Sequence, residues 1–185
     1  MKRLLAAVMV ALLPVTLGGS DAAGALGIDK FIRAKEPRPA PDVEFTELGG
    51  APAHLSDFRG RVVLVNLWAT WCAPCVAEMP SLVKLQQTIG RRDFVVVALS
   101  SDRGGARVVR PFIEEHRLET LAVYLDPKAN ATRKLGAQGL PTSILLDRQG
   151  REIGRILGGT DWDSSEAIAL VRSAIDVVER ADAGR

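Results

Sequence analysis

Apolar residues along this chain follow two patterns, unbroken stretches and helical spacing. The segments 62–67 and 94–100 are almost entirely apolar and rich in valine, as is typical of strands covered on both faces. Beyond the first stretch, apolar residues recur three or four positions apart, which places them on one face of an α-helix. They are Val76, Met79, Leu82, Leu85 and Ile89. The pattern therefore predicts a buried strand that leads into an amphipathic helix.

Shorter segments with the same two patterns lie before and after this strand and helix. The predicted order is strand, strand, helix, strand, helix, strand, helix, strand, strand, helix, which is typical of an α/β domain. The additional strands are predicted at 43–48, 121–125, 143–146 and 152–157, and the additional helices at 106–116, 129–135 and after Trp162. The last helix would present Ile168, Val171, Ala174, Ile175 and Val178 on one face, after a capping-box spacing from Asp163 to Glu166.

The N-terminal segment 1–23 has the pattern of an export signal. Lys2 and Arg3 precede an apolar stretch, 4–17, that is short for a membrane span and suits the core of a signal peptide. Small residues after it offer cleavage sites, but the segment could equally be retained as a membrane anchor. No cysteine follows this stretch before the domain, which excludes a lipoprotein anchor. Both outcomes predict an extracytoplasmic protein, either periplasmic or tethered to the inner membrane.

A proline-rich stretch separates this segment from the domain. Residues 24–41 are rich in Ala, Pro, Lys and Arg, with Pro37, Pro39 and Pro41 at every second position. Such a composition predicts a semi-rigid spacer. The folded domain is then expected at residues 42–185.

Composition and charge exclude some classes of function. The 185 residues are 47% hydrophobic and 25% charged, as in a globular protein, and the net charge of +2 is too small to favour nucleic acid. Cys72 and Cys75 are the only cysteines, and His54 and His116 the only histidines. Structural zinc takes four ligands, and no second cysteine pair exists, so no metal is predicted.

The two cysteines form a C-x-x-C sequence at the predicted strand-to-helix junction, which is a redox signature. Pro74 suits the first helical turn, where its missing N–H costs nothing. Cys72 would then precede the helix, where unpaired N–H groups and the helix dipole favour its thiolate. Cys75 would lie shielded in the first turn. A purely structural disulfide is the main alternative, but so short a loop removes little chain entropy.

The segment 66–75, Asn-Leu-Trp-Ala-Thr-Trp-Cys-Ala-Pro-Cys, together with Glu78 and Pro80, resembles the extracytoplasmic TlpA, ResA and CcmG-type reductases of the thioredoxin superfamily. The resemblance covers about residues 42–180. It implies a thioredoxin-like fold with a central mixed β-sheet flanked by helices. It also implies extra N-terminal strands and, at 121–135, the inserted helix–strand unit of this group.

The resemblance also implies the roles of the site residues. Cys72 would attack a substrate disulfide and Cys75 would resolve the mixed disulfide. Asn66 takes the place of a buried Asp of thioredoxin and cannot titrate, so Glu78 would move the proton. Alternatively, Glu78 only favours the helix dipole from the first turn. A cis Pro141 would pack opposite Cys72. The residues expected to contact substrate are Trp71, Ala73, Pro74, Leu140 and Pro141.

The direction of the reaction and the partners are also predicted. Ala73 and Pro74 place no cation between the cysteines, which favours a reductant over a strong oxidant. The resemblance implies recharging by a membrane thiol transporter of the DsbD or CcdA kind. The substrates would be apocytochrome c in cytochrome c maturation, or copper-site proteins of a terminal oxidase. We expect a monomer whose Cys72–Cys75 disulfide acts without a further cofactor.

Two other classes of function stay open. The lead-in at 55–61 is shared with peroxiredoxin-like proteins, which suggests a thiol peroxidase. That activity needs a Thr three residues before the cysteine, whereas Thr70 lies two before Cys72 and the accompanying Pro is missing. A non-enzymatic copper-binding assembly factor would use C-x-x-x-C and a distant His. The spacing from Cys72 to Cys75 is one residue short of that pattern.

Overall fold

The computed structural model describes residues 28–183, with side chains described as far as Asp176. The predicted export signal at 1–23 and the side chain of Val178 lie outside this part. Within it, no helix is both long and apolar enough to cross a membrane. The strands are β1 (Ile32–Pro39), β2 (Glu44–Glu47), β3 (Pro52–His54), β4 (Val62–Trp68), β5 (Phe94–Ser100), β6 (Ala122–Leu125), β7 (Thr142–Leu146) and β8 (Arg151–Leu157). The helices are α1 (Ala73–Ile89), α2 (Ala106–His116), α3 (Asn130–Lys134) and α4 (Ser165–Ala183).

The eight strands form one mixed sheet in the order β1-β8-β7-β4-β5-β6-β2-β3. β4 lies at its centre, parallel to β5 and antiparallel to β7, and all seven of its residues are buried. An unbroken apolar strand is stable there because both of its faces are covered. The predicted α/β fold with a central mixed sheet is therefore confirmed, and the strand and helix predicted within 121–135 are β6 and α3.

Alternate residues of β4 belong to two cores, one on each face of the sheet. Val62, Leu64 and Trp68 pack with α1, α2 and α4. Val63 and Val65 pack on the opposite face with α3 and with a 3₁₀ helix at Leu55–Phe58. This alternation follows from the period of two of a β-strand. The sheet therefore has helices on both faces and holds β4 rigidly against α1.

The segment 32–39 corrects the predicted spacer. It forms β1, which pairs antiparallel with β8 from Ile32 opposite Arg155 to Pro39 opposite Arg151. A side chain on Gly154 would overlap the Phe31 ring, so the absence of a Cβ lets that ring pack against β8. Prolines are tolerated because an edge strand leaves one row of N–H groups unpaired. The sheet thus begins ten residues before the predicted domain boundary at 42.

The N-terminus of α4 corrects the predicted capping box. Ser164 provides the cap, because the Ala167 N–H donates to its Oγ at 3.2 Å. Asp163 instead pairs with Lys84 of α1, with Nζ 2.5 Å from Oδ2. This pair ties the loop before α4 to the surface of α1, close to the residues described next.

Candidate active site

Cys72 is the N-cap residue of α1, and Cys75 lies within the first turn. The sulfur atoms form a disulfide with an S–S distance of 2.10 Å. The Cys75 backbone N–H points at Cys72 Sγ at 3.3 Å. Once the bond is reduced, this N–H and the positive end of the helix would stabilise a thiolate on Cys72. The predicted placement of both cysteines and of Pro74 in the first turn is confirmed.

The two cysteines differ in accessibility. Cys72 keeps 6% of its surface exposed and Cys75 none. Trp71, directly before them, is 71% exposed. An incoming sulfur atom can therefore reach Cys72 and not Cys75. Of the other expected contact residues, Ala73 and Pro74 are exposed.

The loop between β4 and Cys72 is anchored by Asp102, a residue just after β5 for which the sequence predicts no role in the site. Its buried carboxylate accepts hydrogen bonds from the Thr70 N–H at 2.9 Å and the Thr70 hydroxyl at 2.7 Å. The Ser100 hydroxyl donates to it at 2.8 Å. The Thr70 hydroxyl is thus already committed to Asp102 and is not free to serve the Cys72 sulfur as a peroxidase would require.

Leu140 and Pro141 lie beside the same end of β4. Thr142 of β7 pairs with Leu67, so Pro141 falls next to the strand end that leads to Cys72. The Leu140–Pro141 peptide bond is cis, as predicted. Leu140 is half-buried and Pro141 is buried. Its carbonyl accepts a hydrogen bond from the Gly158 N–H at 2.9 Å, which links the loop to the end of β8.

Glu78 is a buried carboxyl on the same helix as the cysteines. It is 4% exposed and lies three residues after Cys75, on the same face of α1. The Asn66 amide donates to its Oε1 at 2.7 Å, and the Thr160 N–H donates to its Oε2 at 3.0 Å. Because Glu78 lies in the second turn rather than the first, the helix-dipole interpretation of this residue is wrong.

The surroundings of Glu78 hold its proton near neutral pH. Burial raises the pKa of the carboxyl from its ordinary value of 4.5 to about 7. The hydrogen bonds from Asn66 and Thr160 lower this pKa, but by less than burial raises it. The indole of Trp162 lowers it slightly further, although its N–H does not reach hydrogen-bond geometry. Glu78 can therefore accept or release a proton at physiological pH.

Asn66 occupies the centre of this network. Its amide nitrogen donates to Glu78 and also to the Ser143 hydroxyl of β7, at 2.9 Å. The sequence indicates only that Asn66 cannot titrate, and it predicts no role for Ser143 or Thr160. No local signal could have found those two, since they lie 77 residues from Asn66 and 82 residues from Glu78.

A small cleft leads from the surface to Glu78. It has a volume of about 220 Å³ and lies between the start of α1 and the loop before α4. We call it the Glu78 cleft, and its lining residues are Pro74, Ala77, Glu78, Ser81, Gly159, Thr160 and Asp161. The carboxyl is therefore buried but lies close to solvent.

The two histidines lie away from this site. His116 Nδ1 donates to the Phe112 carbonyl in the last turn of α2 at 3.0 Å, and its ring stacks on Phe112. The His54 N–H donates to Asp57 at 2.7 Å. Over the described residues, no three His, Cys, Asp or Glu side chains are grouped in a way that could hold a metal ion.

Comparisons with known proteins agree with this geometry. The Redoxin family profile matches residues 35–171. The chain is 33% identical over 121 residues to the thiol-disulfide oxidoreductase ResA of Bacillus thuringiensis subsp. konkukian, covering 65% of this chain and 69% of that protein. It is 34% identical over 122 residues to the thioredoxin-like protein YneN of Bacillus subtilis, covering 65% and 71%.

Solved structures give the same result. A thiol:disulfide interchange protein of the thioredoxin family from Chlorobium tepidum superposes with a TM-score of 0.64 at 26% identity, covering 77% of this chain and 99% of that one. A secreted thiol-disulfide isomerase from Corynebacterium glutamicum gives a TM-score of 0.69 at 25% identity, covering 80% and 92%. The chain belongs to the Redoxin family, as a TlpA/ResA/CcmG-like member of the thioredoxin superfamily, and it is a thiol–disulfide oxidoreductase whose redox centre is the Cys72–Cys75 pair.

Proposed function

We propose that this chain is a dithiol reductase of protein disulfides that acts outside the cytosol. The observation that carries the proposal is the position of Cys72 at the start of α1, partly accessible and facing the Cys75 N–H. Ala73 and Pro74 add no cation that would stabilise the thiolate further and turn the pair into a strong oxidant. A thioredoxin-like potential is therefore expected.

The reaction proceeds in two exchange steps. In the first, the Cys72 thiolate attacks a substrate disulfide, forms a mixed disulfide and releases one substrate thiolate. In the second, Cys75 loses its proton and attacks Cys72 Sγ. This step forms the Cys72–Cys75 disulfide and releases the second substrate thiolate. Two electrons pass from the cysteine pair to the substrate, and no other cofactor takes part.

Glu78 serves the second step by taking the proton of Cys75. Both groups are buried on one face of α1, and the Glu78 carboxyl has a pKa of about 7, so it can hold that proton transiently. Replacing it by Gln is expected to slow the resolving step by at least about tenfold and to leave the first attack by Cys72 nearly unchanged.

Substrate recognition uses the exposed surface around Cys72. Trp71, Ala73 and Pro74 provide exposed contact area, and an extended substrate segment would pair with the backbone of Leu140 beside Pro141. The occluded sulfur of Cys75 prevents a substrate from attacking the wrong cysteine. An extended protein segment that carries a disulfide fits this surface better than a small molecule would.

The site of action is proposed from residues 1–23, which have the pattern of a cleaved signal peptide or a retained inner-membrane anchor. A reductase in an oxidising compartment must be recharged, and a membrane thiol transporter of the DsbD or CcdA type would supply the electrons. The substrates would be apocytochrome c before haem attachment, or copper-site proteins during assembly of a terminal oxidase. In both cases the substrate would be a protein disulfide outside the cytosol, and its cysteines would be released as thiols.

A trapping experiment tests this function. In the native cell, Cys75→Ser should leave Cys72 joined to its substrates as mixed disulfides. A Cys72→Ala, Cys75→Ser double variant should trap nothing and serves as the control. Capture of apocytochromes would assign cytochrome c maturation, and capture of copper-site proteins would assign oxidase assembly. A broad set of unrelated proteins would contradict both substrate assignments.

The direction is tested separately by equilibrium titration of the Cys72–Cys75 couple against glutathione or dithiothreitol. A potential near the roughly −270 mV of thioredoxin supports a reductase. A potential near the roughly −120 mV of strong oxidases would reverse the assignment.

A further inference from the structure

Polar atoms without partners lie around Glu78. The Thr160 hydroxyl and the Trp162 indole N–H are buried, and neither has a hydrogen-bond partner among the described residues. Thr160 nevertheless donates its backbone N–H to Glu78 Oε2. A buried hydroxyl with no partner costs free energy, so a native protein normally supplies one from a side chain or from ordered water.

The Glu78 cleft is large enough to provide that water. Its volume of about 220 Å³ exceeds what one water molecule needs, and Thr160 and Glu78 both line it. Gly159 also lines the cleft. A Cβ there would lie 3.4 Å from the Pro74 carbonyl oxygen and 4.0 Å from Glu78 Oε2. Glycine at this position therefore leaves room next to the carboxyl.

The proposed role of Glu78 gives such a route a use. In that role, each resolving step leaves the proton of Cys75 on the carboxyl of a residue that is 4% exposed. While the protein is oxidised, Cys75 is held in the disulfide and cannot take the proton back, so the proton can leave Glu78 only by exchange with solvent. The Asn66 amide nitrogen and the Thr160 backbone N–H donate hydrogen bonds to the carboxylate, and neither nitrogen can accept a proton from it. Water in the cleft can accept it.

We propose that the Glu78 cleft is a hydration site, in which the Thr160 hydroxyl holds water that carries the proton from Glu78 to solvent. The inference rests on the proposed role of Glu78 as the proton acceptor of Cys75. In the step, the O–H bond of the Glu78 carboxylic acid breaks and an O–H bond to the water forms. The carboxylate remains and the proton passes on to bulk water, while no electron moves.

The charged groups near this path are Asp161, Asp163 and Lys84. Asp161 is exposed and lines the cleft, whereas Asp163 is paired with Lys84 on the surface of α1. Towards the interior, the groups in contact with the carboxyl are neutral, namely the amide of Asn66 and the backbone N–H of Thr160. Cys75 is the other titratable group on this face of α1 and is the proton donor.

The first test is Thr160→Val in the full chain, which removes the hydroxyl and keeps the backbone N–H that donates to Glu78. The reduced protein is mixed with dithionitrobenzoate, and the two releases of thionitrobenzoate are followed by stopped flow. The first release reports the attack by Cys72 and the second reports its resolution by Cys75. At pH 7 we expect the second rate to fall about fivefold, with the first rate unchanged, because Glu78 must first lose its own proton to water before it can take that of Cys75.

The same variant can also give the result that would overturn the proposal. If the hydroxyl is truly unpaired, Thr160→Val should stabilise the protein because it removes a buried polar group. The resolving rate and the NMR titration of the Glu78 carboxyl would then match those of the wild type. That combination overturns the proposal, whereas loss of the hydrating water should raise the pKa of Glu78 by about one unit.

Gly159→Ala is the second variant, because its side chain would narrow the cleft beside Glu78 without removing any polar group. It should slow the second release and increase the solvent isotope effect on that step. The matched control is Gly49→Ala, at a glycine whose Cβ would meet nothing within 4 Å. Equal second-release rates in the two glycine variants would also overturn the proposal.

Glu78→Gln separates this proposal from the one on which it rests. If that variant resolves mixed disulfides at the wild-type rate, the role of Glu78 itself is wrong. If it is slow while Thr160→Val and Gly159→Ala behave as the wild type, only the hydration route is wrong.

Discussion

Glu78→Gln should make the oxidised protein more stable at neutral pH and have little such effect in acid. In the wild type, the carboxyl is buried against Asn66 and Thr160, and burial raises its pKa to about 7. Glutamine has nearly the same shape and carries no charge at any pH. The substitution therefore removes the cost of ionising this side chain inside the protein.

The magnitude follows from the two pKa values. The folded value of about 7 exceeds the ordinary value of 4.5 by about 2.5 units, which corresponds to about 3 kcal/mol. Between these pH values the folded chain keeps a proton that the unfolded chain has lost, so the free energy of unfolding falls as pH rises. The wild type thus has this contribution fully below pH 4.5 and loses it by about pH 7.

The assay is urea unfolding of the oxidised wild type and variant from pH 4.5 to 8.5. The difference in the free energy of unfolding should change by up to about 3 kcal/mol in favour of the variant as pH rises. Glutamine turns an N–H group toward one of the two donors, which adds a constant offset and leaves the slope intact. Glu115→Gln, on the exposed surface of α2, is the matched control. A pH-independent difference would refute the reasoning.

Three further outcomes are expected. Asp102→Ala should free the loop at Thr70 and lower the free energy of unfolding in urea by about 1–3 kcal/mol. It should also slow the first release of thionitrobenzoate. An unchanged first release would show that the loop is ordered without Asp102. Gly154→Ala should displace the Phe31 ring from β8 and speed hydrogen exchange in 32–39, whereas Gly49→Ala should not. Ser164→Ala should cost about 1 kcal/mol of thermal stability through loss of the α4 cap, and no change in Tm would assign the cap to another residue.

The core of the site could be predicted because its signals are local. The apolar stretch of β4, the helical spacing of α1 and the cysteines between them lie within 28 consecutive residues, 62–89. Strand, cap and first turn are each determined by neighbours in sequence. The placement of Cys72 and Cys75, and the burial of Cys75, followed from that pattern alone.

The features that could not be predicted from the sequence depend on contacts between segments that are distant along the chain. Asp102 reaches Thr70 only because β5 and β4 end side by side, and Thr160 reaches Glu78 only because the loop before α4 packs on α1. β1 was misassigned because an exposed edge strand has no apolar alternation, and its prolines favour a spacer in any local analysis. Asp163 and Ser164 are both good caps, and tertiary contact with Lys84 decides between them.

The two outer strands of the sheet have a consequence for how this enzyme meets other protein chains. β1 carries Pro37 and Pro39 and a break in register between Arg33 and Arg38, and β3, at the opposite edge, is three residues long and begins with Pro52. Proline, irregular pairing and charge all hinder the addition of a further strand. An edge strand without these features would offer its unpaired backbone groups to any extended chain that approached it. With both edges protected, a substrate segment would pair with the backbone only at the loop that we propose for it, beside Leu140. The mixed disulfide, rather than an added strand, would then hold the substrate, and resolution of that disulfide would release it.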